Sequence, residues 1–319
     1  MESLFVAPPG WSWDIVLYFF FGGLAGGCYF LASMLRLVGG PGDLRASRIG
    51  YYLAFPLVNI CALLLIKDLG VPERFWHMLV QSENVPRPLF KWWSPISFGS
   101  WIVAACGLLP VISFVHALLE GGLLRQPRGL AVTGALHDGG SWIGRIFLVL
   151  AALLGLLLAG YTGMLLAVTN TPTWGRDPLL PAIFMASGVS TAAATLFLIA
   201  HATAGAHATA ERAEADTRAR LLRTGVLALG TEVLLIIAAA LLAIGHPSPF
   251  YLGWWAALFW LLVLPIGLLA PLALLAAFAF RGRELLPNAA VIGAALLVLG
   301  GLLFRTFEVF GGQAYYVAY

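Results

Sequence analysis

Eight stretches of this chain, near residues 13–38, 49–70, 97–119, 142–169, 179–204, 222–245, 253–280 and 287–310, are long, apolar and nearly free of charge. Crossing the hydrocarbon core of a bilayer takes about 20 residues of helix. In lipid every backbone amide must find its partner inside the protein, which a helix achieves alone. Strand-like alternation is absent. The chain is 61% hydrophobic and 10% charged, whereas a soluble domain carries about 25% charged residues. The expectation is an all-α integral membrane protein with eight transmembrane helices, partnered by the lipid bilayer. A formal net charge of +3 spread over such a chain is no argument for nucleic acid. The first apolar stretch lacks a basic leader and a cleavage motif, so it is expected to stay in the mature protein.

Lysine and arginine are unevenly placed. The connections after segments 1, 3, 5 and 7 carry 12 of the 18, and the opposite side carries 6. By the positive-inside rule, both termini are expected outside. Nine of the eleven tryptophans (Trp11, Trp13, Trp76, Trp92, Trp93, Trp101, Trp174, Trp254 and Trp255) fall at the outer ends. An aromatic belt or a covering protein partner would each produce this skew. Outside, the longest connection is Val71–Ser94. It should open on a short interfacial helix after Pro72, with Ser94-Pro95 capping the third segment. The inner stretch Ala204–Arg223 alternates charge sign and reads as a solvated extension of the fifth or sixth segment.

The middle of the chain, Tyr161–Thr195, joins the fourth and fifth segments through the turn Asn170–Pro178, with its adjacent charges Arg176 and Asp177. Ionisable groups at membrane depth are costly, so each asks for a reason. Asp68 and Lys67 end the second segment, as an interfacial pair or as the mouth of an outer pocket. Glu232 lies about two turns into the sixth segment, with no charged neighbour on its own helix at that depth; it reads as a structural acid or a proton-relay group. Arg305 and Glu308, three apart, are expected to pair with each other. Asn59 reads as interhelical glue. Tyr18 and Tyr161 fall in the outer half of segments 1 and 4 and, with Asp68, supply three hydrogen-bonding groups there. Gly22, Gly23, Gly26 and Gly27 allow another helix or a flat ligand to approach closely. Cys28, Cys61 and Cys106 lie singly and offer no iron–sulfur ligation pattern. His116 and His201, near inner helix ends, are the candidate axial pair for a haem.

Several stretches together resemble the NrfD/polysulfide reductase membrane-subunit family: Trp11–Gly27, Lys67–Phe75, Ser94–Trp101, Tyr161–Trp174, Leu180–Gly188 and Arg305–Gln313. The resemblance implies two four-helix bundles, here residues 1–170 and 171–319, with a quinone site in the first. It implies a multi-pass protein of the bacterial cytoplasmic membrane with no haem or iron–sulfur cluster of its own. Its cofactor would be a quinone or quinol, menaquinone or ubiquinone. Its partners would be an iron–sulfur electron-transfer subunit and a catalytic subunit of molybdopterin type. Tyr161 matches a quinone-contacting tyrosine of the polysulfide reductase members, while Tyr18 and Ile15 stand where those members have histidine and asparagine.

The expected site is therefore Tyr18, Lys67, Asp68 and Tyr161 between segments 1, 2 and 4, with Asp68 and Tyr161 closest to the chemistry and Glu232 on a proton path. A passive membrane anchor, a haem-b cytochrome using His116 and His201, and a secondary transporter are the alternative readings.

Overall fold

The computed structural model describes residues 9–81, 87–124, 131–169, 171, 173–175, 177–203, 208–245, 248–251, 253–281 and 288–314. Eight helices among them are long and apolar enough to cross a membrane. The first three are α1 (Trp13–Val38), α2 (Leu44–Asp68) and α3 (Pro95–Glu120). A short α4 (Ala131–Leu136) precedes α5 (Trp142–Ala167), α6 (Leu180–Ala202) and α7 (Ala208–Leu242). The seventh crossing runs through α8 (Gly253–Leu258), a π-helical stretch Phe259–Leu269 and α9 (Ala270–Arg281). The eighth runs through α10 (Ala289–Thr306), a π-helical turn Phe307–Gly311 and α11 (Gly312–Ala314). Pro265 has no N–H to give to an α-helical ladder, and the wide π turn around it absorbs the gap.

Helix starts follow from local chemistry. The hydroxyls of Ser12, Ser94 and Ser141 accept backbone N–H groups of Asp14 (3.1 Å), Ser97 (3.4 Å) and Gly144 (3.0 Å). Each satisfies a donor that the first helical turn leaves open. Pro95 occupies the first turn of α3, as expected, and Pro72–Met78 forms a short 3₁₀ helix.

Helix α1 is the axis of the molecule, packed against α2, α5, α6 and α10. Its glycines bring backbones together rather than a ligand. A Cβ on Gly26 would stand 2.4 Å from the Gly155 carbonyl oxygen, and one on Gly27 would stand 2.2 Å from that of Gly188. Only hydrogen fits at either position, so α5 and α6 close directly onto α1.

Both ends of the described residues meet the central turn. The Trp11 N–H donates to Gln313 Oε1 (2.7 Å), and Gln313 Nε2 donates to the Trp11 carbonyl (3.2 Å). Trp174 is fully buried, stacks on Trp11 at 5.1 Å and donates its indole N–H to the Glu308 carbonyl (2.9 Å). Of the nine outer tryptophans, Trp174 thus belongs to the core, and Trp11, half-buried, packs against it. Asn170, Pro172 and Arg176 lie outside the described residues. Asp177 accepts the Leu179 N–H at 2.9 Å; its burial raises its pKa, and that bond opposes the rise.

The opposite face is tied by arginines. Asp43, fully buried, accepts Thr217 Oγ1 (2.6 Å) and two bonds from Arg220 (2.6 and 2.7 Å). Arg45 pairs with Glu214 at 2.8 Å, and Arg36 pairs with Glu120. The charged stretch expected as a solvated extension is the first part of α7, and its Glu214 and Arg220 clamp the start of α2. Beneath this face His137, buried, stacks on His116 with ring centroids 4.2 Å apart.

One expected pair does not form. Arg305 turns inward, fully buried, and donates to the Phe19 carbonyl (3.0 Å), Ser187 Oγ (2.9 Å) and the Gly301 carbonyl (3.0 Å). Glu308 makes no ion pair with it, and among the described residues one Glu308 carboxylate oxygen has no hydrogen-bond partner. Glu308 lies on the π turn, which rotates it away from the α-helical i,i+3 register that the pairing assumed.

Candidate functional site

A cavity of about 500 Å³ opens at the end of the molecule where Trp11 and Gln313 meet. Four helices and one connection build it. Tyr18 comes from α1; Asn59, Ile66 and Asp68 from α2; Gly99, Ser100, Ala104 and Gly107 from α3; and Tyr161 and Leu165 from α5. The 3₁₀ helix and the turn after it add Phe75, Met78 and Leu79. The wall is mostly apolar, with a few polar groups spaced along it, which is the usual make-up of a small-molecule site.

Tyr18 is fully buried, and among the described residues its hydroxyl has no hydrogen-bond partner. A buried phenol left unpaired costs about 1–3 kcal/mol, so an acceptor entering the cavity would find a donor ready. Tyr161 is 6% exposed and donates its hydroxyl to the Pro95 carbonyl at 3.1 Å. That carbonyl belongs to the first turn of α3, so Tyr161 also holds α3 against α5. The ring sits on Gly99, where a Cβ would come within 1.6 Å of the Tyr161 ring. Only glycine lets the tyrosine reach this depth.

Asp68 stands exposed at the cavity edge, on the last residue of α2. Lys67 departs from expectation. It does not line the cavity and does not pair with Asp68; it reaches across to Asp14 on α1, at 2.9 and 3.1 Å to the two oxygens. Successive residues of a helix point about 100° apart, so Lys67 and Asp68 face different neighbours. Asn59 lines the cavity and donates its amide to the Phe55 carbonyl of its own helix (2.7 Å), rather than bridging helices.

The structure therefore brings Tyr18, Asp68 and Tyr161 to one cavity and leaves Lys67 beside it. Glu232 is elsewhere, fully buried on α7, where Ser190 of α6 donates to it at 3.0 Å. Ser187, one turn away on α6, accepts from Arg305, so both charges lie along one polar strip of α6. The acid thus has a charged neighbour, contributed by another helix. The two histidines considered as haem ligands lie in separate ring clusters, His116 on His137 and His201 on Phe197. Sequence reasoning missed α3 as a wall. Its signal was the spacing of Gly99, Val103 and Gly107, four apart, beside Ser100 and Ala104, which puts one sparsely filled face of a helix next to open space.

Comparison with known proteins agrees with this architecture. The chain matches the family model described as "Polysulphide reductase, NrfD" over residues 6–318. It is 27% identical over 326 residues to protein NrfD of Escherichia coli, covering 95% of each protein. It is 24% identical over 323 residues to a polysulfide reductase polypeptide of Wolinella succinogenes, covering 96% of this chain and 95% of that one. A shorter stretch of 90 residues, 28% of this chain and 21% of the other, is 31% identical to a selenate reductase polypeptide of Mesobacillus selenatarsenatis. With eight apolar helices in place and the match running almost end to end, this chain belongs to the NrfD/polysulphide reductase family of multi-pass membrane proteins.

Proposed function

We propose that this chain is the quinone-reactive membrane subunit of a respiratory oxidoreductase complex of the bacterial cytoplasmic membrane. It exchanges electrons between menaquinone or ubiquinone in the bilayer and an iron–sulfur partner subunit, which serves a catalytic subunit of molybdopterin type. The observation that carries this reading is the unpartnered Tyr18 hydroxyl in the wall of a largely apolar cavity. A passive anchor has no need of such a group. Relatives named as components of polysulfide and selenate reductases support the assignment to a reductase complex.

A bound quinone supplies the two-electron, two-proton chemistry, and this chain supplies its surroundings. The apolar walls of α2 and α3 hold a ring and keep water out. Tyr18 donates its hydroxyl to a ring oxygen; Tyr161, its proton given to the Pro95 carbonyl, holds the α3 wall in place and offers a lone pair to a quinol hydroxyl. Asp68, exposed at the rim, exchanges the proton with water. In this reading residues 1–170 form the site bundle and residues 171–319 a second one. Both termini face the periplasm, following the 12-to-6 asymmetry of lysine and arginine. The iron–sulfur partner docks on the face that the cavity opens toward, where Phe90, Trp92 and Trp93 are exposed near Arg87 and Lys91. Trp92→Ala with Trp93→Ala should loosen the complex on size exclusion more than Arg212→Gln on the opposite face; equal loosening counts against this docking face.

The deciding test uses three variants. Tyr18→Phe removes a hydroxyl that bonds to nothing among the described residues, so the melting temperature should hold or rise. Quinol turnover by the intact complex should fall about five- to 150-fold, the equivalent of about 1–3 kcal/mol in the barrier. Tyr161→Phe should slow turnover too and also lower stability by about 0.5–1.5 kcal/mol, because the bond to Pro95 is lost. Asp68→Asn should slow turnover in a pH-dependent way. Activity of the partner subunits with an artificial redox dye should stay at the wild-type level in all three. Wild-type quinol turnover in Tyr18→Phe and Asp68→Asn would remove the site from this cavity and favour the anchor reading.

A further inference from the structure

A second cavity, of about 360 Å³, lies on the opposite face of the molecule, where α6 and α9 end and α10 begins. Among the described residues its polar lining is cationic or neutral: Arg212 and Arg218 of α7 and His201 of α6, with no carboxylate. Phe197, Leu222 and Phe278 supply apolar walls beside them. His201 stacks on Phe197, with ring centroids 5.7 Å apart, so the imidazole is held at the boundary between the two kinds of wall.

Among the described residues Arg218 has no hydrogen-bond acceptor. Its Nη1 is buried without a hydrogen-bond partner. Other arginines of this face are matched: Arg36 to Glu120, Arg45 to Glu214, Arg48 to the Glu120 carbonyl, Arg145 to the Gly139 carbonyl and Arg220 to Asp43. Among the described residues neither Arg212 nor Arg218 holds an ion pair. Arg218 is half-buried with one nitrogen closed off from water and Arg212 is exposed beside it, and the planar fork of a guanidinium matches two oxygens of a phosphate or carboxylate. The position along α7 narrows the choice. The run of charged residues in this helix ends at Arg223, and the apolar part follows. The cavity thus lies at the water–hydrocarbon boundary, cations toward the water and aromatic side chains toward the hydrocarbon.

We propose that this cavity binds the headgroup of an anionic phospholipid, with the phosphodiester on Arg218 and Arg212 and the acyl chains along Leu222 and Phe278. Basic pockets between transmembrane helices recognise lipid phosphates by this chemistry. The site is independent of the quinone reading: it uses other helices and the other face. A lipid bound there joins the two ends of the second half of the protein, bridging α6–α7 to α9–α10.

Native mass spectrometry of the full-length protein, purified in detergent and supplied with phosphatidylglycerol or phosphatidylcholine, reads the site directly. The wild type should retain phosphatidylglycerol in preference to phosphatidylcholine. Arg218→Gln and Arg212→Gln should each lower that retention about five-fold, the usual effect of one basic residue at a lipid phosphate. Arg223→Gln changes the net charge equally, lies outside the cavity and should retain lipid like the wild type. The wild type alone gives a second measurement, which holds whether or not the variants fold: its melting temperature should rise with phosphatidylglycerol and not with phosphatidylcholine. Unchanged retention in Arg218→Gln, or an equal drop in Arg223→Gln, overturns the site. Stabilisation by inorganic phosphate alone, without retained lipid, overturns the lipid as its occupant.

Discussion

Helix α1 meets its neighbours in two different ways. Against α5 and α6 it closes to backbone contact, through Gly26 on Gly155 and Gly27 on Gly188, and most of the helix is buried. On the flank, α2 and α3 are mostly uncovered by the rest of the protein, and the larger cavity opens between them and α5. The same residue type serves opposite ends. Glycines of the seam remove side chains so that helices touch, whereas Gly107 of α3 has nothing within 4 Å of where a Cβ would be. The rigid seam holds Tyr18 and Tyr161 at set positions, and the looser flank leaves room for a ligand to reach them.

The largest expected effect breaks the seam. Gly27→Val places a branched side chain where 2.2 Å separates the Cβ site from a carbonyl oxygen and 2.7 Å from the Ala192 methyl. Neither backbone can give way without opening α1 from α6. Overpacking usually costs about 1–3 kcal/mol and this position has no relief, so the loss should be at or above the top of that range. The matching change on the flank, Gly107→Ala, should leave thermal stability unchanged or raised by about 0.5–1 kcal/mol, since alanine favours the helix. Melting temperatures in one detergent compare the two. Equal losses would mean that the flank is as tightly specified as the seam.

That contrast also explains what could be read from the residues beforehand. Eight crossings were legible because charge is excluded from the segments that face lipid. Tyr18, Tyr161 and Asp68 were legible as a group because each lies at a similar depth from the same membrane face, and depth follows from helix rise alone. Which way a side chain turns does not. Lys67 and Asp68 are neighbours in sequence and face different helices; Arg305 turns to Phe19 and Ser187 rather than to Glu308. The α1 glycines announced a close approach but not whether a helix or a ligand makes it. Boundaries slipped where polar residues continue a helix beyond the membrane, as at Leu44 and along the first part of α7.

A middle-sized effect tests the seam at its other end. His137 is buried among His116, Tyr51 and Phe147, with Nδ1 donating to the Thr133 carbonyl (2.7 Å) and Nε2 accepting from Ser113 (2.9 Å). Burial, with the neighbouring His116 and Arg36, pushes its pKa down from 6.5 to about 3, against the pull of its bond to Thr133. The folded protein therefore holds this ring neutral where the unfolded chain would protonate it. The unfolded state binds the extra proton between pH 6.5 and 3, so stability from this group is present above pH 6.5 and falls as pH drops through that window. The slope is about 1.4 kcal/mol per pH unit, or roughly 2 kcal/mol between about pH 6.5 and 5. Melting curves across that range should show the fall, and His137→Gln should flatten it while lowering stability at neutral pH. An equally steep fall in the variant would assign the pH response to other groups.

The smallest expected effect concerns Glu232, on the far side of the seam from the cavity. We infer that it belongs to a proton path, because one oxygen is held by Ser190, the other has no partner among the described residues, and Arg305 lies along the same strip of α6. Glu232→Gln keeps the shape and the acceptor for Ser190 but cannot take up a proton. Since the residue is outside the cavity, bound quinone should be unaffected and dye-linked activity of the partner subunits unchanged. Turnover of the intact complex should fall by about five-fold at most, which corresponds to about 1 kcal/mol in the barrier. Proton movement measured in sealed vesicles should fall with it. If both remain at the wild-type level, Glu232 serves only to fasten α7 to α6. The seam is then a scaffold throughout, and the functional chemistry of the protein is confined to the flank cavity.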